Sequence, residues 1–592
     1  MQTSHNFHIP VMGIGFTIDT PIKVAPYGIS SVISLVDDKL TEKIGAFHAA
    51  KRGLAYPLIS DKEKDARARR ITQFLNLVHD IVEKKLKHVK ETPAERLKYI
   101  ELLPESSPIK EEYKKLLTSD ADEQEFREWA EVNIVAGSID VNIMTKVDKE
   151  NFFQNELLPN EYNDAHAALR GFGLSKLNSS IILSAGMNPR LFSYMEAFDD
   201  FYPDAEGHIK KKIVLKVSDY RSALIQGKVL AKKGIWVSEY RIESGLNCGG
   251  HAFATEGLLM GPILNEFKKG KQALIDTTFD LLSKALDEKG LTCSKAPEML
   301  ITAQGGIGTN EEHEFLINEY DLNATGWGTP FLLVPEATNV DKNTINLLTG
   351  AKEKDLYLSG ISPLGVPFNS LRGNTMDNKK MERINNGRPG SPCPKKYVEL
   401  NKEFGDKGLC VASRKYQHMK LQELDEKNLS KEEYEKEFFK ITEKSCICLG
   451  LGTAALLTHN IENKVEGDEV SVCPGPNMAY YNRTMSLKEM VGHIYGRNNV
   501  IERTDRPNLF VKELSLYVDY LQNQLAEEST PIPAKKEKYY RNFTKNLMAG
   551  IEYYYTILEN EQFYFQQEKE TILLQLEAYQ GRLSQLTDNV IA

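Results

Sequence analysis

The stretch Met299 to Ala337, MLITAQGGIGTNEEHEFLINEYDLNATGWGTPFLLVPEA, constrains the fold more than any other part of the chain. Its first residues, Met299 to Ala303, are a short apolar run closed by Gly305 and Gly306, the pattern of a buried strand running into a tight turn. Thr309 then precedes Glu311 and Glu312, an N-cap followed by acids in the first helical turn, and Phe315 and Leu316 begin an apolar face. Ala324 to Trp327 repeats the device: a short strand, Gly326 and Gly328, then a cap-like Thr329 with Pro330 at the first helical position. Two adjacent units of this kind in one parallel sheet bring free backbone N–H groups and helix dipoles to the same sheet end, which makes a phosphate cradle. In a (β/α)8 barrel the loops after the seventh and eighth strands are the usual place for one.

The rest of the chain supplies the missing strands. They are expected at His8–Phe16, Ser31–Leu35, Ser138–Thr145, Ser180–Ser184, Lys212–Val217 and Ile235–Glu239, separated by helical segments such as 163–172, 221–233 and 262–289. That makes eight strands in an α/β chain, a (β/α)8 TIM barrel with additions. Glycines Gly13 and Gly15 in the first strand would let a flat ligand approach the backbone, and Asp19 is expected to cap a short helix at Thr20 and Pro21. Asn142 would point into or over the barrel.

A chain of 592 residues exceeds one compact core. Residues 1–37 and 132–375 are assigned to the barrel and 38–131 to a charged helical insertion after the second strand, packed against the barrel or covering its mouth. Residues 376–500 form a cysteine-containing, loop-rich extension, and 501–592 form helices whose tyrosine-rich apolar face suits a hairpin or a homo-oligomer contact. The net charge of -9 argues against nucleic acid as a partner. The N-terminus MQTSHNFHIPVMG has neither the basic nor the long apolar region of a signal peptide, and Cys446 to Leu457 is too short to span a bilayer. The expectation is a cytoplasmic protein that does not engage membranes.

Seven cysteines, an odd number, argue against a disulfide framework. Cys393, Cys410, Cys446, Cys448 and Cys473 fall within one segment, yet no C-x-x-C pair exists and Cys446-x-Cys448 alone defines no site. No metal is therefore assigned; buried structural cysteines are the expected reading, with zinc or an iron–sulfur cluster the alternative.

The loop after the sixth strand, ESGLNCGGHAF from Glu243 to Phe253, sets Gly249 and Gly250 directly before His251. Bare backbone there would present an imidazole, a proton acceptor useful near neutral pH, at the catalytic rim. With this loop in place the sequence resembles the flavin-dependent nitronate monooxygenase (2-nitropropane dioxygenase) family and the related flavin enoyl reductases of fatty acid and polyunsaturated fatty acid synthesis. The glycine-glycine-histidine loop matches Gly249, Gly250 and His251; the glycine-glycine-isoleucine phosphate loop matches Gly305, Gly306 and Ile307; the glycine-threonine-x-phenylalanine loop matches Gly328, Thr329 and Phe331. The valine-asparagine strand matches Val141 and Asn142, and the first strand matches Met12 and Gly13.

The resemblance implies FMN, with its phosphate at Gly305, Gly306, Gly328 and Thr329 and its ring near Met12, Gly13 and Asn142. Lys216 is then a donor to the ring's polar edge or an ordinary structural lysine, and His251 inherits the role of general base or of a residue set against the flavin. The family's arginine after glycine-threonine is Pro330 here, and Cys248 is an addition before the glycines. A shared flavin site serves several reactions. Three readings stay open: an oxidase of a nitronate-like carbanion using dioxygen, an enoyl reductase drawing on NAD(P)H, and a flavin- or phosphate-binding regulatory protein without turnover.

Overall fold

In the computed structural model, which describes residues 4–184, 186–252, 256–528, 531–559 and 565–591, eight strands close into one parallel barrel. They are β1 (Phe7–Ile9), β2 (Ser30–Ser34), β3 (Ile139–Ile143), β4 (Ser179–Leu183), β5 (Lys211–Val217), β6 (Val237–Glu243), β7 (Leu300–Gln304) and β8 (Ala324–Gly326). Each pairs with its sequence neighbour, and β8 returns to β1 through Thr325 beside Phe7 and Gly326 beside His8. Phe253 of the histidine loop, Ala185 after β4 and residues 560–564 of the C-terminal pattern lie outside the described residues.

The first strand is shorter than its apolar run suggests. Residues 10–18 turn instead, because Gly13 and Gly15 receive a helix from the C-terminal extension rather than extending the sheet. That helix, Ile447–His459, has Ile447, Leu449, Leu451 and Leu456 buried, so it carries no polar face and behaves as a core element. The Leu451 carbonyl accepts the Ile14 and Gly15 N–H groups at 3.2 and 2.7 Å. A Cβ on Gly15 would stand 2.6 Å from the Gly452 carbonyl oxygen. Gly15→Ala is expected to lift this helix from the barrel and cost about 1–3 kcal/mol, read as a lowered denaturation midpoint. An unchanged midpoint would show that the helix does not rest there.

Asp19 does not cap its helix, Thr20–Val24. Its carboxylate is fully buried and receives His48 and His459, each at 2.9 Å, and Asn339 at 2.6 Å, tying the turn to two distant helices.

The charged segment after β2 divides in two. Helix Ala66–Glu91 buries Ile71, Phe74, Leu75 and Val78 in the main core, as an outer-ring helix of a barrel does. The shorter helices of 93–133 enclose a separate cluster around Tyr99, Ile100, Leu103 and Tyr113. Tyr99 bonds Ser4 and the Val135 carbonyl, which lead into β1 and β3, so this cluster covers the N-terminal end of the barrel and leaves the mouth to the C-terminal extension. Residues 376–500 carry the helices Thr375–Asn385, Arg414–Asp425, Lys431–Thr442, Ile447–His459 and Leu487–Ile494, joined by long loops. Helices Leu509–Ala526 and Ala534–Leu558 add Leu514, Tyr517, Phe543 and Tyr554 to the main core, with helix Lys569–Ile591 packed beside them. Among the described residues no single helix is long and apolar enough to cross a membrane.

Candidate cofactor and active site at the barrel mouth

Side chains at alternate positions of a strand share a face, so Glu239, Arg241 and Glu243 of β6 all enter the barrel. Arg241 Nε donates to Glu239 at 2.8 Å, and the Thr302 hydroxyl donates to the same carboxylate. One layer nearer the mouth, Glu243 takes Lys216 Nζ at 2.6 Å and Gln304 Nε2 at 2.6 Å. His8 lies 3.5 Å from Gln304; burial first, then the Arg241 charge, lowers its pKa to about 3, so it stays neutral. The expected Lys216 thus has a defined partner, and the interior periodicity of β6 was the signal for it.

The histidine loop is held from several sides. Asn247 accepts the Gly249 N–H at 2.7 Å and donates to the His251 carbonyl at 2.9 Å. Asn369 donates to Asn247 at 3.0 Å, and its own N–H bonds the Gly250 carbonyl at 2.9 Å. The two glycines serve different ends. A Cβ on Gly249 would fall 2.1 Å from the Cys473 carbonyl oxygen, so the residue admits a neighbouring loop, whereas Gly250, at φ +78°, has nothing within 4 Å of that position and donates its N–H to the same Cys473 carbonyl at 3.1 Å. His251 Nε2 lies 2.7 Å from Ser362 Oγ, and its ring meets the edge of Phe368 at 5.0 Å. Burial, with the positive charge of Lys216 as a second cause, lowers its pKa to about 4.

Cys473, grouped with the other late cysteines in the sequence, sits at this mouth. Burial pushes its thiol up to about 12. Met12 is buried with its N–H on Thr17, and Asn142 is buried on β3 with its carbonyl accepting Leu35. Asn142 lies opposite Ser34 at the C-terminal end of β2, and Met12 follows the end of β1, but among the described residues no polar contact joins either to Lys216 or His251.

The glycine turns after β7 and β8 interlock with the histidine loop. Gly305 and Gly306 adopt φ +98° and +81°, and a Cβ on Gly305 would stand 2.7 Å from the Asn247 backbone. A Cβ on Gly328 would stand 2.8 Å from the Cys248 Cβ, and the Thr329 hydroxyl accepts the Gly475 N–H at 3.0 Å. The helix expected from Thr329 is a short 3-10 turn, Thr329–Leu333, so only the first unit contributes a full helix, Asn310–Tyr320, capped by the Thr309 hydroxyl on the Glu312 N–H.

The N–H groups of Gly306, Ile307 and Thr329 are buried and find no acceptor among the described residues. Their surroundings come from the far end of the chain. Asn477 donates to the Gly306 and Ile307 carbonyls at 2.6 and 3.1 Å, and Arg506 donates to the Gly306 carbonyl at 2.9 Å. Arg506 also pairs with the buried Glu312 at 2.8 Å on both carboxylate oxygens, while its own Nε is buried without a partner. Glu312 further accepts the Gly308 and Leu509 N–H groups, each at 2.8 Å. Its charge is therefore spent locally. Three unspent backbone donors and a guanidinium N–H beside a helix N-terminus fit a phosphate group.

No family model matches the sequence, and no curated protein matches it. Among solved structures, the chain is similar to the enoyl reductase domain of MlnA from the macrolactin biosynthesis cluster of Bacillus amyloliquefaciens, at 13% identity over 88% of this chain and 97% of that one, with a TM-score of 0.40. It is similar to nitroalkane oxidase from Streptomyces ansochromogenes at 9% identity over 83% and 95%, with a TM-score of 0.34. An IMP dehydrogenase/GMP reductase-like protein from Corynebacterium glutamicum follows at 12% identity over 62% and 71%, with a TM-score of 0.24. The barrel itself stands on its strand pairing rather than on these likenesses.

Proposed function

We propose that the chain is an FMN-dependent oxidoreductase of nitronate monooxygenase type, oxidising a nitronate-like carbanion with dioxygen. The observation that carries the reading is the set of unspent donors at Gly306, Ile307, Thr329 and Arg506 Nε, which suits one monophosphate at the end of β7 and β8. FMN, when bound there, supplies the electron acceptance that the side chains lack. Gly305, Gly306, Ile307, Gly328 and Thr329 would hold its phosphate, Met12, Gly13 and Asn142 would lie on the side of its ring, and Lys216, 2.6 Å from Glu243, would be a donor to it.

His251 completes the site. With a pKa lowered to about 4, its imidazole is neutral at physiological pH. A neutral ring accepts a substrate proton or donates a hydrogen bond to a substrate anion, and Ser362 Oγ at 2.7 Å holds it in place. Lys216 adds positive charge for an anionic substrate. A reductase must instead deliver a proton to carbon after hydride transfer, which a neutral imidazole does poorly; this places the NAD(P)H-dependent enoyl reductase reading second.

The freshly purified protein is expected to show absorption bands at about 370 and 450 nm and to release FMN on acid treatment. A colourless protein that takes up no added FMN would sink the proposal.

A further inference from the structure

Four of the seven cysteines, Cys393, Cys410, Cys446 and Cys448, line one cavity. They arrive from three separate places: the CPKKY turn, the end of the 401–409 loop, and the start of helix Ile447–His459. Cys393, Cys410 and Cys446 are buried and Cys448 is half-buried, and all four are free thiols. Cys393 and Cys410 form no disulfide.

Three features separate this cluster from ordinary packing of small apolar residues. Cys393 and Lys396 adopt φ of 54° and 63°, a left-handed backbone that costs non-glycine residues free energy and that recurs at functional sites. Cys446 is the N-cap residue of its helix and Cys448 lies in the first turn, where the helix dipole favours thiolates. Four cysteines brought together out of water offer four thiolate ligands to one cation, which would balance their charge. Cys473, from the same stretch of sequence, is outside the cavity.

The spacing selects the occupant. A tetrahedral zinc with bonds of about 2.3 Å requires sulfurs about 3.8 Å apart. Among the described residues no three of these sulfurs lie within 4.8 Å of one another, a wider spread than one zinc requires and the direction that ligands shared among several irons require. Pro363, Pro394, Val398 and Leu449 give the cavity an apolar wall.

We propose that Cys393, Cys410, Cys446 and Cys448 hold an iron–sulfur cluster through their thiolates. The site adjoins the barrel mouth, since Pro363 follows the Ser362 that holds His251, but it does not depend on the flavin reading.

The full chain, purified without oxygen and treated with ferrous iron and inorganic sulfide, is assayed for iron, acid-labile sulfide and zinc. Equal iron and sulfide at about two to four per chain, with broad absorption near 400 nm, is the expected result. Cys410→Ser and Cys446→Ser should each lose at least about tenfold of the bound iron, and Cys473→Ser should lose none. Circular dichroism and elution volume identify any variant that fails to fold; the half-buried Cys448→Ser then serves in its place, and the wild-type stoichiometry decides independently of all variants. Absence of iron uptake, one tightly held zinc per chain, or iron indifferent to these substitutions would overturn the cluster. Metal analysis is blind to FMN, so its outcome leaves the flavin reading to be judged separately.

Discussion

His251→Ala is expected to lower kcat/KM by about 10²–10⁴-fold while the flavin absorbance stays in place. The two parts separate because the imidazole and the phosphate donors sit on different loops: His251 bonds Ser362, whereas Gly306, Ile307 and Thr329 are held by Asn477, Arg506 and Gly475. Unchanged turnover would remove His251 from the mechanism. The pH profile gives an independent reading. Below a pKa lowered to about 4 the ring becomes cationic and can no longer accept a proton, so the acid limb of kcat/KM is expected near that pH, with a plateau through neutrality. Burial is the larger cause of the shift and Lys216 the second. Lys216→Met should therefore move the limb only part of the way toward the ordinary histidine value, alongside whatever it does to rate. A limb that stays at about 6.5 in the wild type would mean that the ring is wet and free of the lysine's influence.

The parts of this site that were legible in the sequence are those written in local backbone chemistry. Gly305 and Gly306 adopt positive φ, Thr309 caps its helix, and the paired turns after β7 and β8 stand side by side as their repetition implied. A turn or a cap is specified by a few adjacent residues, so it survives reading without a fold. The first strand misled because Gly13 and Gly15 answer to a helix more than four hundred residues later, and no periodicity records that demand. Ser362, Asn477 and Arg506 were invisible for the same reason: each is an ordinary loop residue until folding carries it to the mouth. Glu243 was readable in principle, since Glu239, Arg241 and Glu243 alternate along β6. The cysteines show both cases at once. Their spacing of 393, 410, 446 and 448 matches no metal motif, yet three chain segments deliver four of them to one cavity and Cys473 to another place.

Arg506→Met should cost about 3–5 kcal/mol of stability, because it leaves the Glu312 carboxylate buried and unpaired. It should also weaken FMN binding by about 100-fold or more, since a guanidinium donor is lost and an uncompensated anion stands beside the phosphate position. The two effects are separable by a second substitution. In the double variant Glu312→Gln with Arg506→Met, the amide oxygen can still accept the Gly308 and Leu509 N–H groups that Glu312 now holds at 2.8 Å, and no buried charge remains. Replacing both members of a buried pair is often close to neutral, so most of the lost stability should return. Affinity for FMN should recover only in part, settling about tenfold below the wild type because the repulsion is gone but the guanidinium is still missing. Titration of the apoprotein with FMN, followed by flavin fluorescence, reads one effect and chemical denaturation the other. If Arg506→Met were destabilised yet bound FMN like the wild type, the ion pair would be a strut under the loop and the phosphate would have to be held by Gly306, Ile307 and Thr329 alone. If the double variant bound FMN as tightly as the wild type, the unpartnered Nε of Arg506 would not face the phosphate.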